Sequence, residues 1–191
     1  MSLSLKIIVG STRPGRSAPA IAAWMKSFAA EHGKFSTEVV DLADINLPLL
    51  NEAAHPVQKA YEHDHSKRWS RAVDAADAFV FVTPEYDYFP SGALVNAIQY
   101  LFSEWNYKPA GVVSYGFTSG GLRASQVLRQ LLTSVNVFPI TQVVPIPNFH
   151  AFIGEDGAFG PSEPIEQGTA VMLDELYKIG VALRPIRQDA A

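Results

Sequence analysis

The sequence predicts an α/β fold, a mostly parallel sheet of five strands with helices on both faces. Three observations lead there. Five short apolar runs alternate with longer stretches whose apolar residues recur at helical spacing. One of the runs, Ala78–Thr83, is apolar almost throughout, as a central strand buried on both faces should be. Of the 191 residues 48% are hydrophobic and 18% charged, ample apolar material for one large core.

The elements follow in order. Leu5-Lys6-Ile7-Ile8-Val9, rich in β-branched residues, is the first strand. Beyond a Gly/Ser/Pro loop, Ile21, Trp24, Met25 and Phe28 fall at i, i+3, i+4 and i+7, the stripe of a helix packed on a sheet. Gly33 stands where that helix should stop. Ser36–Asp41 is the second strand. A polar, histidine-containing stretch from about Asn51 leads into a helix near Ser66–Ala75, and Ala78–Thr83 is the third strand. A helix over Leu94–Trp105 comes next, then strand Gly111–Tyr115, then a helix from about Gly121 carrying Leu128, Leu131, Leu132 and Val135. Ile140–Val144 is the fifth strand. The Pro/Gly-rich stretch Pro145–Pro164 reads as a surface excursion, and Met172, Leu176, Ile179 and Leu183 mark the last helix. No repeat or linker divides the chain, so one domain over residues 1–191 is expected.

Composition narrows the function. A formal net charge of -4 with no basic stripe argues against a nucleic-acid partner. No apolar run is long enough to span a bilayer, so no membrane partner is expected. The chain has no cysteine, which removes disulfides, thiolate nucleophiles and Cys-ligated metals, and a cytoplasmic location is the default.

In an open parallel sheet, ligands sit beyond the carboxyl ends of the strands where strand order reverses. The unusual residues lie just there. After the first strand comes Gly10-Ser11-Thr12-Arg13-Pro14-Gly15-Arg16-Ser17. Its hydroxyls (Ser11, Thr12, Ser17), its free amides and the following helix N-terminus favour a phosphate, with Arg13 and Arg16 as charged donors. The plain alternative is a strand-to-helix loop with Ser17 as N-cap and two solvated arginines. The loop narrowly misses the nucleoside-triphosphate motif G-x-x-x-x-G-K-[ST], having Arg16 for the lysine. The third strand ends Thr83-Pro84-Glu85, without the aspartate that such a site needs for magnesium. The dinucleotide spacing G-x-G-x-x-G is also missing, although Asp41 ends the second strand as a ribose-binding acid would. A monophosphate fits best.

The second loop, Thr83–Gly92, sets Tyr86, Tyr88 and Phe89 within four positions, either a wall for a flat ring or ordinary packing. The third, Ser114–Arg123, has Gly116, Gly120 and Gly121, which allow close approach of backbone to a ligand or serve simple turns.

Together these loops resemble the NADPH-dependent FMN reductase family of flavodoxin-like proteins. The family's G-S-x-R…S, P-E-Y-N with L-K-N-A-I-D, and S-x-G…G-G-x-R-A motifs read here as Gly10-Ser11-Thr12-Arg13 with Ser17, Pro84-Glu85-Tyr86-Asp87 with Leu94-Val95-Asn96-Ala97-Ile98-Gln99, and Ser114-Tyr115-Gly116 with Gly120-Gly121-Leu122-Arg123-Ala124. The resemblance implies a flavodoxin-like three-layer α/β/α sandwich, FMN as cofactor, and NADPH or NADH as electron donor. It implies that Ser11, Arg13 and Ser17, with Arg16 as an extra donor, hold the FMN phosphate. Pro84, Glu85, Tyr86 and Asp87 would edge the isoalloxazine, largely through backbone. Ser114, Tyr115, Gly116 and Gly120 would close the opposite rim. It also implies a homodimer or homotetramer that reduces a small acceptor: a flavin, quinone, azo or nitro compound, or metal oxyanion. Asp87 stands where the family usually has asparagine, and Tyr88 and Phe89 replace small residues, which puts the acceptor in question. Two alternatives are an electron carrier like flavodoxin and a non-catalytic FMN-binding module. Such redox chemistry belongs to the cofactor, so no catalytic side chain is assigned.

Three conspicuous groups have bland readings. In Glu62-His63-Asp64-His65 a helix would point the two histidines to nearly opposite sides, against a metal site. His150 could approach the site from the long loop or remain a surface histidine. Trp105 and Tyr107 could line a subunit interface or pack in the core.

Overall fold

The computed structural model describes residues 2–189; Met1, Ala190 and Ala191 of the expected domain lie outside the described residues. Its sheet consists of β1 (Leu3–Val9), β2 (Phe35–Asp41), β3 (Ala78–Pro84), β4 (Pro109–Tyr115) and β5 (Phe138–Ile146), in the order β2-β1-β3-β4-β5. Every pairing is parallel. This is the flavodoxin-like order, with its switch point between β1 and β3. Register brings the carboxyl ends level: Val9 pairs with both Asp41 and Val82, and Tyr115 with both Pro84 and Ile146. The loops after β1, β3, β4 and β5 therefore leave the sheet along one edge.

The two-residue period of the strands sorts the core. Leu3, Leu5, Ile7, Val9, Val80 and Val82 pack on one face beneath α1 (Ala18–Glu31) and α6 (Glu163–Asp189). Ile8, Phe79, Phe81 and Val112 pack on the other beneath α3 (Asp64–Asp74), α4 (Gly92–Gln99) and α5 (Leu122–Ser134). The stripe expected on α1 is present: Ile21 and Met25 are buried, with Trp24 and Phe28 half-buried beside them. Gly33 follows the end of α1 at φ +78°, a left-handed conformation that glycine adopts without steric cost. A one-turn helix not foreseen from the sequence, α2 (Leu42–Ile45), follows β2; the Asp41 carboxylate caps it by accepting the Ala43 amide at 2.9 Å.

Two expectations need correction. The helix expected over Leu94–Trp105 stops at Gln99. Its last-turn carbonyls are taken by indoles instead of further helix: Trp69 Nε1 donates to Ala97 O at 2.8 Å and Trp105 Nε1 to Ile98 O at 3.1 Å. Trp105 thus folds back into the core, fully buried against Trp69, Phe79 and Phe81, and forms no part of an exposed face; Tyr107 remains partly exposed. The irregular excursion is also shorter than expected. β5 runs on to Ile146, and α6 begins at Glu163, where the Ser162 carbonyl accepts the Ile165 and Glu166 amides. Between them Phe159 packs on Trp24, with ring centroids 5.1 Å apart, and pins the loop to α1.

Candidate functional site

The three suspect loops converge. The β1 loop leaves the sheet at Gly10, whose amide bonds the Val82 carbonyl at 2.9 Å. A Cβ on Gly10 would lie 3.1 Å from that oxygen and 3.0 Å from the Leu94 side chain, so only glycine lets the loop pass so close to β3 and α4. Ser91, the N-cap of α4, donates its hydroxyl to Gly10 O and accepts the Leu94 amide. Ser11 is fully buried beneath the loop, and its hydroxyl meets the Tyr86 hydroxyl at 2.9 Å, joining the β1 and β3 loops across 75 residues of chain.

Around Ser11 the loop retains unused donors. Among the described residues, the Thr12 and Gly15 amides, the Ser17 hydroxyl and the Arg13 guanidinium have no hydrogen-bond partner. Ser17 occupies the N-cap position of α1 without a side-chain capping bond, so its hydroxyl is not spent there. Arg16 differs. Its Nη2 pairs with Asp41 Oδ2 at 2.5 Å, both side chains being less than a fifth exposed, while its Nε is buried and unpartnered among the described residues. Asp41, the possible ribose acid, therefore has both oxygens committed, one to Arg16 and one to the cap of α2. The pair balances its own charge and leaves the buried Arg16 Nε–H to give.

The β3 loop is locked to the β4 loop by Glu85. Its carboxylate accepts the Ser119 hydroxyl at 2.9 Å, the Arg123 amide and Nη1 at 3.0 Å each, and the Ala124 amide at 3.4 Å. An anion at the N-terminus of α5 is well placed for both the free amides and the helix dipole. Burial alone would raise the Glu85 pKa, but the bonds from Ser119, Arg123 and the two amides outweigh it and hold the carboxyl below its ordinary range. Glu85 is thus a brace between loops.

Next to it, Tyr86 and Phe89 exchange both main-chain hydrogen bonds at 2.9 Å around Asp87 (φ +50°) and Tyr88 (φ +72°). Positive φ at both central residues is the type I′ hairpin turn, whose first central position favours Asn or Asp. That accounts for the Asn-to-Asp departure: the backbone here requires a residue tolerant of left-handed φ, and aspartate is one. Asp87, Tyr88 and Phe89 are exposed, with the Arg123 guanidinium 4.4 Å from the Tyr88 ring centroid.

The β4 loop turns at Gly120 (φ +60°) and Gly121 (φ +81°), where a Cβ would come within 2.9 Å of Pro147 N and 2.8 Å of Tyr115 N respectively. Ser114 is buried and donates to the Gly120 carbonyl at 2.9 Å. Between the loops lies a two-lobed cleft. An inner lobe of about 370 Å³ is lined by Arg13, Arg16, Ser17, Pro84, Tyr86, Tyr115 and Phe149, among others. An outer lobe of about 640 Å³ reaches Asp87, Tyr88, Ser119 and Arg123, and the two share Arg13, Glu85, Tyr86, Gly116 and Phe117. These are ordinary sizes for a small-molecule site. Burial, with the nearby Tyr86, pushes the Tyr115 phenol above its usual range.

Of the twelve expected residues, Arg13, Arg16, Ser17, Pro84, Glu85, Tyr86, Asp87, Tyr115 and Gly116 line the cleft. Ser11, Ser114 and Gly120 support it from behind. Phe117, in the β4 loop, and Phe149, in the loop after β5, also line the cleft and were not singled out in the sequence; for Phe149 the only available signal was that the loop after β5 must emerge at the same edge. His150 does both things the sequence allowed: it reaches the cleft and stays exposed at the surface. His63 precedes α3 and His65 lies within it, and their rings stack at 5.1 Å rather than diverging. Among the described residues, no three His, Cys, Asp or Glu side chains are placed to hold a metal.

The chain is similar to known proteins. A sequence profile of NADPH-dependent FMN reductases matches residues 4–151. An NAD(P)H-dependent FMN reductase of Schizosaccharomyces pombe is 40% identical over 123 residues, 63% of this chain and 62% of that protein. An NAD(P)H-dependent FMN reductase of Saccharomyces cerevisiae is 39% identical over 157 residues, 76% of this chain and 82% of that protein. Among solved structures, the Paracoccus denitrificans flavoenzyme FerB, an NAD(P)H:(acceptor) oxidoreductase, superposes with a TM-score of 0.75 at 20% identity, covering 94% of this chain and 98% of FerB; this likeness bears on the fold.

Proposed function

The chain belongs to the NADPH-dependent FMN reductase family, and on that premise we propose that it is a single-domain, FMN-dependent NAD(P)H oxidoreductase passing electrons to a small acceptor such as a quinone. The observation that carries the reading is the convergence of the β1, β3 and β4 loops on one cleft, tied by Ser11–Tyr86 on one side and Glu85–Ser119 on the other.

The residues present fit FMN. A phosphate needs several donors and positive charge, and the β1 loop offers the Arg13 guanidinium, the Ser17 hydroxyl, the Thr12 amide and the buried Arg16 Nε, unpartnered among the described residues. Because Asp41 balances Arg16, the net charge left for the ligand comes from Arg13, suited to a single phosphate. Tyr86, Tyr115, Phe117 and Phe149 supply an aromatic wall for a flat ring. When bound, FMN supplies the two-electron relay between nicotinamide and acceptor that no side chain can. The chain does the rest. Arg13, with Arg16 and Ser17, would position the phosphate, on a loop that Ser11 ties to Tyr86 from behind. The backbone of Pro84–Asp87 edges the ring on one side, and Tyr115 and Gly116, braced by Ser114 and Gly120, close the other. Tyr88 and Phe117 line the mouth of the cleft.

A homo-oligomer is part of the proposal, supported by the exposed Tyr88, Phe89 and Phe117 around the mouth, as is a cytoplasmic location. The test is to saturate the purified protein with FMN, identify the flavin released on denaturation, and follow NADPH oxidation with a quinone. Release of FMN and turnover far above that of free FMN are expected. Binding FMN without reacting with NADPH would mark a carrier, and failure to bind FMN would end the reading.

A further inference from the structure

His150 stands in the inner lobe on the 3₁₀ turn Phe149–Phe152. Two main-chain bonds hold the start of that turn to the β4 loop: the Asn148 amide to Phe117 O at 3.0 Å and the Phe149 amide to Gly116 O at 3.4 Å. The imidazole lies on the Phe149 ring, with centroids 3.8 Å apart, and 5.7 Å from the Phe117 centroid; Phe149 in turn packs on Tyr115. Among the described residues its ring nitrogens have no hydrogen-bond partner.

The other ionisable groups facing this lobe are poor proton donors. Arg13 and Arg16 do not release protons in proteins. Glu85 is a carboxylate bound by four donors. Burial holds the Tyr115 phenol in its protonated form, and the Tyr86 hydroxyl is engaged with Ser11. Asp87 lines only the outer lobe. Imidazole is the side chain suited to exchanging a proton near neutral pH.

We propose that His150 is the general acid that protonates the reduced acceptor. This rests on the reductase reading above. The stoichiometry requires a second proton, which such a group can deliver: NADPH provides a hydride, two electrons and one proton, whereas a quinone becomes a hydroquinone by gaining two electrons and two protons. In NADPH + H⁺ + quinone → NADP⁺ + hydroquinone, the second proton comes from a ring N–H of His150. That N–H bond breaks as an electron pair on the reduced oxygen forms the O–H bond. The imidazole then recovers a proton from solvent at its exposed edge.

The test compares two acceptors on holoprotein reduced with dithionite, followed by stopped flow: 1,4-benzoquinone, which takes up protons, and ferricyanide, which takes one electron and none. His150→Gln is expected to lower the quinone-to-ferricyanide ratio of reoxidation rates at least tenfold at pH 6.5, general acids typically contributing about 10²–10⁴. It should also flatten the pH profile with quinone, while the FMN dissociation constant, read from flavin fluorescence on titrating apoprotein, stays within about twofold. An unchanged ratio overturns the proposal. So does a tenfold weaker FMN affinity, which would make His150 part of the cofactor site. Dithionite bypasses NADPH, so an unchanged ratio in a protein that binds FMN sinks this inference alone, whereas a protein that binds no FMN sinks both.

Discussion

Replacing Glu85 should uncouple the two loops that frame the cleft, and its bonds set the size of the effect. The carboxylate, whose side chain is 10% exposed, receives one hydroxyl, two main-chain amides and one guanidinium N–H. Hydrogen bonds to a charged group contribute about 1.5–3 kcal/mol when buried, and N-capping interactions about 0.5–2 kcal/mol. The ion pair adds less: Arg123 is half exposed, and exposed pairs give about 0–1 kcal/mol. Glu85→Ala should therefore cost about 2–4 kcal/mol and Glu85→Gln, which keeps one acceptor, about 1–2 kcal/mol. Arg123→Ala should cost no more than about 1 kcal/mol, even with the loss of its contact to Tyr88. Urea unfolding at constant m-value measures all three. The pH dependence has a definite sign. Glu85's pKa is depressed in the folded state, so its contribution is fully present above the unfolded value, about 4.3, and is lost as pH falls through the folded pKa. The advantage of the parent protein over Glu85→Gln should accordingly shrink in acid. If Arg123→Ala proved as costly as Glu85→Ala, the ion pair and not the helix cap would be holding the loops, and the reasoning would be wrong.

Arg13→Ala should weaken FMN by about 1.5–3 kcal/mol and riboflavin, which has no phosphate, much less; equal losses in parallel fluorescence titrations would mean that Arg13 acts through folding. Asp87→Asn should leave stability within about 0.5 kcal/mol, since both residues suit the left-handed turn, whereas Asp87→Val should lose about 1–2 kcal/mol. Similar unfolding midpoints for the two would refute the turn assignment. Lys108 is buried and donates at 2.9 Å to the carbonyls of Val73 and Asp74, and burial lowers its pKa to about 8. The unfolded chain then binds more protons between pH 8 and 10, so stability should rise with pH across that window, by up to about 1.4 kcal/mol per unit, and Lys108→Met should lack the rise. Urea midpoints at pH 7.5 and 9.5 that move in parallel for both proteins would contradict this.

Much of this molecule is legible along the chain. Strand period and helix stripe are local properties, so Ala78–Val82 and the Ile21–Met25 face could be placed without knowing their neighbours. The loops that line the cleft were legible too, because a parallel sheet gathers its ligand at the carboxyl ends of its strands, and glycines, hydroxyls and aromatics concentrate there. What each side chain does was not. Arg16 and Asp41 stand 25 residues apart, yet they bind each other because β2 lies beside β1. The Glu85 carboxylate caps a helix that starts 37 residues later, because β4 lies beside β3. Trp105 reads as the end of a helix, yet its indole turns back to cap that helix from the core. Each of these pairings spans residues that no local pattern relates. The partner of a charged or aromatic side chain is chosen by which strands are adjacent and in what register, and that choice is made only when the whole sheet closes its two cores.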